Sequence, residues 1–295
     1  MWATLIEYGH ASGDKTYDDL IAQGMLWQSG ENQNFMPGNY TASMSNDDQG
    51  LWAMAAMLAV EDDSPIRLPP CGSGSDWPGP GYDYKNSFTD GVFFNLDARL
   101  ARYTGNKTYA AWADRTWNWM EKTGLIDVKT YAVYDDAIVQ ANKECGSPMK
   151  AEFSWPSGIF ALGAAHMFNY TDGASTWQKR LDKLVNRGLE TFFPNGVATE
   201  PACTSKQACH PAMKMWKGVV HQWYAMAAQL APFTAGKLVP AIEASAKMAA
   251  RQCTGGDGGR ACGFSMAEGS FDGDTGVELP LVFALAVVYY CFGAS

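Results

Sequence analysis

One turn recurs along this chain, and its recurrence limits the folds available. Ser12-Gly13-Asp14-Lys15-Thr16-Tyr17 separates two helical patterns, and Thr104-Gly105-Asn106-Lys107-Thr108-Tyr109 separates two more. Thr171-Asp172-Gly173-Ala174-Ser175-Thr176-Trp177 is a looser third copy. Gly closes a helix in the left-handed conformation, and the Asp, Asn, Ser or Thr that follows caps the next helix. The product is an antiparallel helical hairpin, and hairpins in series stack into a solenoid or close into a ring. Apolar residues at three- and four-residue spacings predict helices near 1–11, 16–28, 47–60, 87–103, 108–122, 156–170, 175–193, 212–231, 236–252 and 279–292. Strand signals are few; Tyr131-Ala132-Val133-Tyr134 and Gly196-Val197-Ala198-Thr199 read as short strands or extended loop. Turns within hairpins are short, whereas 29–46, 61–86, 125–155, 194–211 and 253–278 are long and rich in Gly, aromatics and Asp. That asymmetry predicts an all-α, single-domain helical-hairpin barrel over 1–295, with a working face built from long loops on one rim.

The chemistry is concentrated at the mouth of one apolar helix, Asn46-Asp47-Asp48-Gln49-Gly50-Leu51-Trp52-Ala53-Met54. Cleaving a glycosidic bond takes one carboxylate to attack or stabilise the sugar cation and one carboxylic acid to protonate the leaving oxygen. In retaining enzymes these groups lie about 5 to 5.5 Å apart, a separation that neighbouring residues at a helix entrance can reach. The structural alternative is equally physical. Acidic residues in a first turn favour the helix dipole, and Asn46 with Gln49 has capping-box spacing.

Composition narrows the partners. A net charge of −9, with no Lys/Arg clusters, argues against nucleic acid or an anionic membrane and favours a neutral partner. Eleven Trp and thirteen Tyr supply rings suited to stacking on sugar faces, although most such rings belong to cores. Cys203 with Cys209 and Cys253 with Cys262 form local pairs across short polar loops, and Cys71 with Cys145 is a third, longer candidate. Asn39, Asn106 and Asn169 open glycosylation sequons. Paired cysteines with sequons point to an oxidising secretory route and a secreted, cell-surface or cell-wall location. No signal peptide precedes Met1, which sits inside an apolar helical pattern. The apolar stretch Leu279–Phe292, with the leftover Cys291, reads as a buried closing helix, the alternative being an anchor tail.

Several blocks fall together in order: Met1-Trp2-Ala3-Thr4-Leu5-Ile6-Glu7-Tyr8, Asn46-Asp47-Asp48-Gln49-Gly50, Gly81-Tyr82-Asp83-Tyr84-Lys85-Asn86-Ser87, Ala98-Arg99-Leu100-Ala101-Arg102-Tyr103-Thr104-Gly105-Asn106, Glu200-Pro201-Ala202-Cys203, and Cys262-Gly263-Phe264 before Phe271-Asp272-Gly273. In these the chain resembles the glycoside hydrolase family 76 α-1,6-mannanases, in particular the fungal cell-wall branch, over most of its length. The resemblance implies an (α/α)6 barrel and an adjacent Asp-Asp catalytic pair, with Asp47 the nucleophile and Asp48 the general acid/base. A helix N-terminus stabilises the first as an anion, and its like charge favours protonation of the second. The implied activity is retaining, endo-acting hydrolysis of α-1,6-mannan, or transfer of the glycosyl-enzyme intermediate to another sugar as a transglycosidase. A non-catalytic mannan-binding remnant is the alternative from another class. The pattern departs in three places. Relatives usually carry a helix before Met1, a helical segment between Val60 and Cys71 where only Glu61–Pro70 stands here, and a Tyr-Asn before Gly158 in Phe153-Ser154-Trp155-Pro156-Ser157-Gly158. The barrel is therefore expected to be incomplete, with about ten helices, and its exposed apolar flanks to invite a partner.

Tyr82, Asp83, Tyr84, Lys85 and Asn86 could hydrogen-bond and stack on sugars, or Asn86 and Ser87 could simply cap a helix. Asn46 and Gln49 flank the dyad. Asp135, beside Asp136, reads as rim and a substrate contact, Glu200 as a hydroxyl anchor or a cap, and Trp155 as a stacking ring, whereas Trp52 inside a helix reads as core. Asp18-Asp19 and Asp62-Asp63 read as capping or solvated charge. His10, His166, His210 and His221 have no metal spacing and no Cys-x-x-Cys is present, so no metal is expected. No Gly-rich phosphate loop follows a strand, so no cofactor is expected. A diphosphate-metal site of the terpene-synthase kind needs an acid where Leu51 stands. The expected partner is an α-1,6-linked mannan or other mannose-containing glycan, met by a monomer, with cell-surface or membrane attachment left open.

Overall fold

A computed structural model describes residues 2–30, 35–39, 44–61, 84–138, 140, 145–204, 209–256, 258–259, 261–263 and 273. Among these the helices are α1 (Trp2–Ser12), α2 (Asp18–Ser29), α3 (Asn46–Glu61), α4 (Ser87–Thr104), α5 (Lys107–Thr123), α6 (Ser154–Tyr170), α7 (Ser175–Phe192), the single turn α8 (Pro201–Thr204), α9 (Pro211–Leu230) and α10 (Ala235–Arg251). The helix expected near 279–292 and the linker Asp62–Pro70 lie outside the described residues.

The recurrent turn works as its residues dictate. At the α1–α2 corner the Ser12 hydroxyl donates to the Tyr8 carbonyl (2.6 Å) and accepts from Asp14 N–H (3.1 Å), while Asp14 Oδ1 accepts from Thr16 N–H (2.9 Å). At the α4–α5 corner Thr104 donates to Leu100 O (2.6 Å) and accepts from Asn106 N–H (3.1 Å), and Asn106 accepts from Thr108 N–H (2.9 Å). Gly13 and Gly105 are left-handed (φ 73° and 70°). The third copy keeps only the first half: Thr171 donates to Met167 O (2.7 Å), but Ala174 provides no side-chain cap.

Burial separates two layers. α6 is buried without interruption from Ser154 to Met167, whereas α7 buries one stripe, Trp177, Leu181, Leu184, Val185, Gly188 and Phe192. A helix apolar on all sides belongs inside, and an amphipathic one outside. α6 packs on α4, α7 and α9; α4 on α3, α5 and α6; α1 on α2 and α3; and α9 on α10. Hence α1, α3, α4, α6 and α9 form an inner series, and α2, α5, α7 and α10 back it, in an α/α barrel. Glycines set the inner spacing: a Cβ on Gly163 would lie 2.4 Å from Phe94, and one on Gly91 2.5 Å from Ile159. The seam between layers is aromatic, with Phe94 stacked on Phe160 (5.3 Å) and Arg180 set over both Trp117 (4.7 Å) and Trp177 (4.5 Å). A smaller core of Leu5, Ile6, Ile21, Met25, Phe35 and Leu58 joins α1, α2 and α3.

Two small sheets modify the all-helical expectation. β1 (Tyr84–Asn86), β2 (Tyr134–Ile138) and β3 (Met149–Glu152) run antiparallel in that order, and β4 (Cys253–Gly255) pairs with β5 (Ala261–Cys262). Of the two expected strands, 131–134 contributes only Tyr134 to a strand, because Tyr131 is left-handed (φ 59°) and Val133 forms an isolated bridge with Ile126. The 196–199 segment is a 3-10 turn, Pro194–Gly196, running into extended chain.

Candidate active site

Short turns join α1 to α2, α4 to α5, α6 to α7 and α9 to α10, so the long segments all enter inner helices at their N-terminal ends. β1 leads directly into α4, β3 into α6, and the Cys203–Cys209 loop into α9. The N-termini of α3, α4, α6 and α9 therefore share one rim, where their helix dipoles favour negative charge.

Asp47 and Asp48 stand in the first turn of α3, both half-buried. The Ser45 hydroxyl, just before the helix, is hydrogen-bonded to Asp47 Oδ1 and lies 2.9 Å from Asp48 Oδ2. Ser45 N–H also donates to Asp48 Oδ2 (2.9 Å). The Asp48 carboxylate thus reaches back to the Ser45 N–H, half of a capping box set one residue earlier than the Asn46/Gln49 spacing suggests, and Asn46 lies exposed as the first helical residue. One turn further on, a Cβ on Gly50 would lie 2.4 Å from Val92, so glycine there lets α3 settle against α4.

Asp48 stands in the wall of a cavity of about 620 Å³ that is lined from α1, α2, α3, α4, α6 and α9. Trp2, Trp52, Trp216 and Trp223 line it, and its polar groups include Thr4, Glu7, Arg99 and Gln222. Glu7 is hydrogen-bonded to Gln222, joining α1 to α9, and Arg99 holds Glu61 through Nε (2.8 Å) and Nη2 (2.5 Å), joining α4 to α3. Trp52, read from sequence as core, is half-buried in the cavity wall with one face stacked on Phe35 (6.2 Å).

With this geometry in place, the sequence model of glycosyl hydrolase family 76 matches residues 1–67 and 70–289. The chain belongs to that family. Mannan endo-1,6-alpha-mannosidase DFG5 of Candida albicans is 35% identical over 295 residues, covering 90% of this chain and 65% of its own length. The enzyme of the same name, DCW1, of Candida glabrata is 33% identical over 304 residues, covering 94% and 67%. This family 76 chain spans 63% to 68% of the length of the curated fungal relatives it matches. The crystal structure of Dfg5 from Chaetomium thermophilum in complex with glucosamine aligns with a TM-score of 0.91 at 37% identity, over all of this chain and 80% of that one. An inactive α-1,6-mannanase of Salegentibacter, with two consecutive aspartates replaced by asparagine and α-1,6-mannotriose bound, shares the fold at TM-score 0.74 and 15% identity, over 99% of this chain and 88% of that one.

The other candidates divide between the rim and the interior. Asn86 is the N-cap of α4, its Oδ1 accepting from Phe88 (2.8 Å) and Thr89 (3.1 Å), and Ser87 donates to Tyr134 O, so capping occupies this block. Lys85 is exposed beside it, Tyr84 begins β1, and Tyr82 and Asp83 lie outside the described residues. Glu200 is fully buried and caps α6: Ser154 N–H donates to both its oxygens (3.2 Å each) and Ser154 Oγ donates at 2.5 Å. Burial pushes its carboxyl up to about 7, against the opposing pull of Ser154 and Lys217. Asp135 is half-buried in β2, and burial, reinforced by the charge of Asp136, pushes it up to about 6. Trp155 is 8% exposed and stacks on Phe153 (4.5 Å) within the main core, away from the cavity-lining set.

Both short disulfides form, Cys203–Cys209 and Cys253–Cys262. Cys145 is in no disulfide among the described residues, and Cys71 lies outside them. Asn39, Asn106 and Asn169 are exposed, as glycan acceptors must be, although Asn106 also caps α5 and Asn169 accepts from Arg102 (2.8 Å). Sequence reading passed over Ser45, Trp216 and Trp223; the Ser-x-x-Asp box and the seven-residue Trp spacing on α9 were the available signals.

Proposed function

We propose that this chain is a retaining, endo-acting glycosidase that hydrolyses α-1,6-mannosidic linkages in mannan. What carries the reading is the adjacent carboxyl pair gathered on one serine hydroxyl, one of the two in the wall of a Trp-lined cavity, in a family 76 chain. Two carboxyls sharing one hydroxyl have oxygens no further apart than two hydrogen bonds end to end, about 5.5 Å, which suits double displacement. Asp47 attacks the anomeric carbon while Asp48 gives its proton to the departing glycosidic oxygen. A water then loses its proton to Asp48 and displaces Asp47, returning both groups to their starting state. The names of the fungal relatives, and the paired aspartates replaced in the inactive bacterial mannanase, support the same assignment. Asp135, Lys85 and Gln49 are proposed as rim contacts for neighbouring mannose units, and Tyr82, Asp83 and Tyr84 as further substrate contacts.

The cavity favours one variation. Its few polar groups and its tryptophans suit an acceptor sugar better than a free water, so transfer to a second glycan, linking wall or lipid-anchor glycans, competes with hydrolysis. Two disulfides and three exposed sequon asparagines support a secreted, cell-surface or cell-wall site of action. Among the described residues no helix is long and apolar enough to cross a membrane.

The test is product analysis on linear α-1,6-mannan, with and without an added mannooligosaccharide acceptor. We expect shorter products that retain the α-configuration, and a loss of at least about 10²–10⁴-fold in kcat in both Asp47→Asn and Asp48→Asn. Longer products on adding acceptor identify the transglycosidase. Mannan binding without turnover, indifferent to both substitutions, would overturn the reading in favour of a glycan-binding protein.

A further inference from the structure

We infer that Ser45 is a positioning residue of the carboxyl pair, its hydroxyl and backbone N–H together holding Asp47 and Asp48 side by side at the head of α3. The inference rests on the glycosidase reading of the dyad.

Ser45 Oγ is within hydrogen-bond reach of an oxygen of each aspartate, and its one hydrogen can serve either. The backbone N–H of Ser45 also donates to Asp48 Oδ2, so two donors of one residue converge on the pair. Hydrogen bonds to a charged acceptor are roughly twice as strong as neutral ones. Replacing the hydroxyl removes a group that touches both carboxyls and leaves the backbone contact to Asp48 in place.

A plain helix cap is the competing role, and three substitutions separate the two. Ser45→Thr keeps both cap and hydroxyl; Ser45→Asn keeps a good cap but has no hydroxyl; Ser45→Ala loses both. On linear α-1,6-mannan we expect Ser45→Thr to stay within about threefold of wild type, and Ser45→Asn and Ser45→Ala each to lose about 10–100-fold in kcat with little change in KM. A capping role alone predicts that Ser45→Asn restores both melting temperature and rate. Wild-type kcat in Ser45→Asn and Ser45→Ala, with Asp47→Asn and Asp48→Asn inactive, would overturn this inference and leave the glycosidase intact. Turnover surviving the Asp substitutions would remove the glycosidase reading and this inference with it.

Discussion

At the level of single residues the molecule spends several carboxyl groups on architecture. Glu200 is the clearest case, a fully buried acid whose two oxygens close the N-terminus of α6. Its carboxyl is pushed up to about 7 from an ordinary 4.5, chiefly by burial, so the folded chain binds that proton more tightly than the unfolded chain. The stabilisation is therefore complete below about pH 4.5 and is lost as pH rises towards 7. The span corresponds to about 3 kcal/mol at most. We expect Glu200→Gln, which preserves the acceptor for Ser154, to flatten the decline in melting temperature between pH 4.5 and 7; equal slopes in the two proteins would refute it. Asp97, raised to about 7 by burial, and Asp90, raised to about 6 by burial against the pull of Lys85, bend wild-type stability the same way. The sequence announced Glu200 as an anchor or a cap without deciding between them. The decision depends on Ser154, 46 residues away, and no local pattern records that.

At the level of elements, the seats of the helices depend on missing side chains. Gly50, two residues past the dyad, leaves room for Val92, whose β-branched side chain cannot swing aside. We expect Gly50→Ala to push the first turn of α3 off α4, costing about 1–3 kcal/mol in stability. Mannan turnover measured well below the melting temperature should fall more steeply than stability does; full turnover in a destabilised variant would argue that the dyad is positioned independently of that contact. The corners are a different matter, because their chemistry is local. Asn106→Ala should cost about 1 kcal/mol in chemical denaturation, the usual worth of an N-cap. That locality explains what could be read from sequence. Helix ends at Ser12, Thr104 and Tyr170 lie within a residue or two of expectation because turn, cap and left-handed glycine are adjacent in the chain. The β1–β2–β3 sheet was not foreseen, since Asn86 pairs with Asp136 and Tyr134 with Glu152 across gaps that a periodicity window does not span. Trp155 illustrates the same limit: an aromatic beside a long loop suits either a platform or a core, and only its stacking on Phe153 and its burial place it in the interior.

Across the whole molecule, a rigid double layer of helices carries a rim built from loops, and the two disulfides belong to the rim. They close sequence separations of only 6 and 9 residues, so they constrain the unfolded chain little, towards the low end of the about 2–4 kcal/mol typical of such links. Mild reduction should therefore weaken mannan binding, measured by calorimetry, while the far-ultraviolet helical signal persists; simultaneous loss of both would show that the disulfides hold the barrel itself. The hydrogen bond between Glu7 and Gln222 joins residues 215 apart. On a ribosome adding about 5–20 residues per second, the partner of Glu7 is made roughly ten to forty seconds after it. During that interval α1, α2 and α3 have their small core but no closed ring, and a glutamate destined for burial still faces water. The helix that bears the dyad is thus among the early products of synthesis, yet its cavity acquires the α9 wall, with Trp216 and Trp223, only after α9 has been translated. Completion of this cavity is a late event of biogenesis, and a nascent chain halted before α9 would carry both aspartates beside an unfinished one.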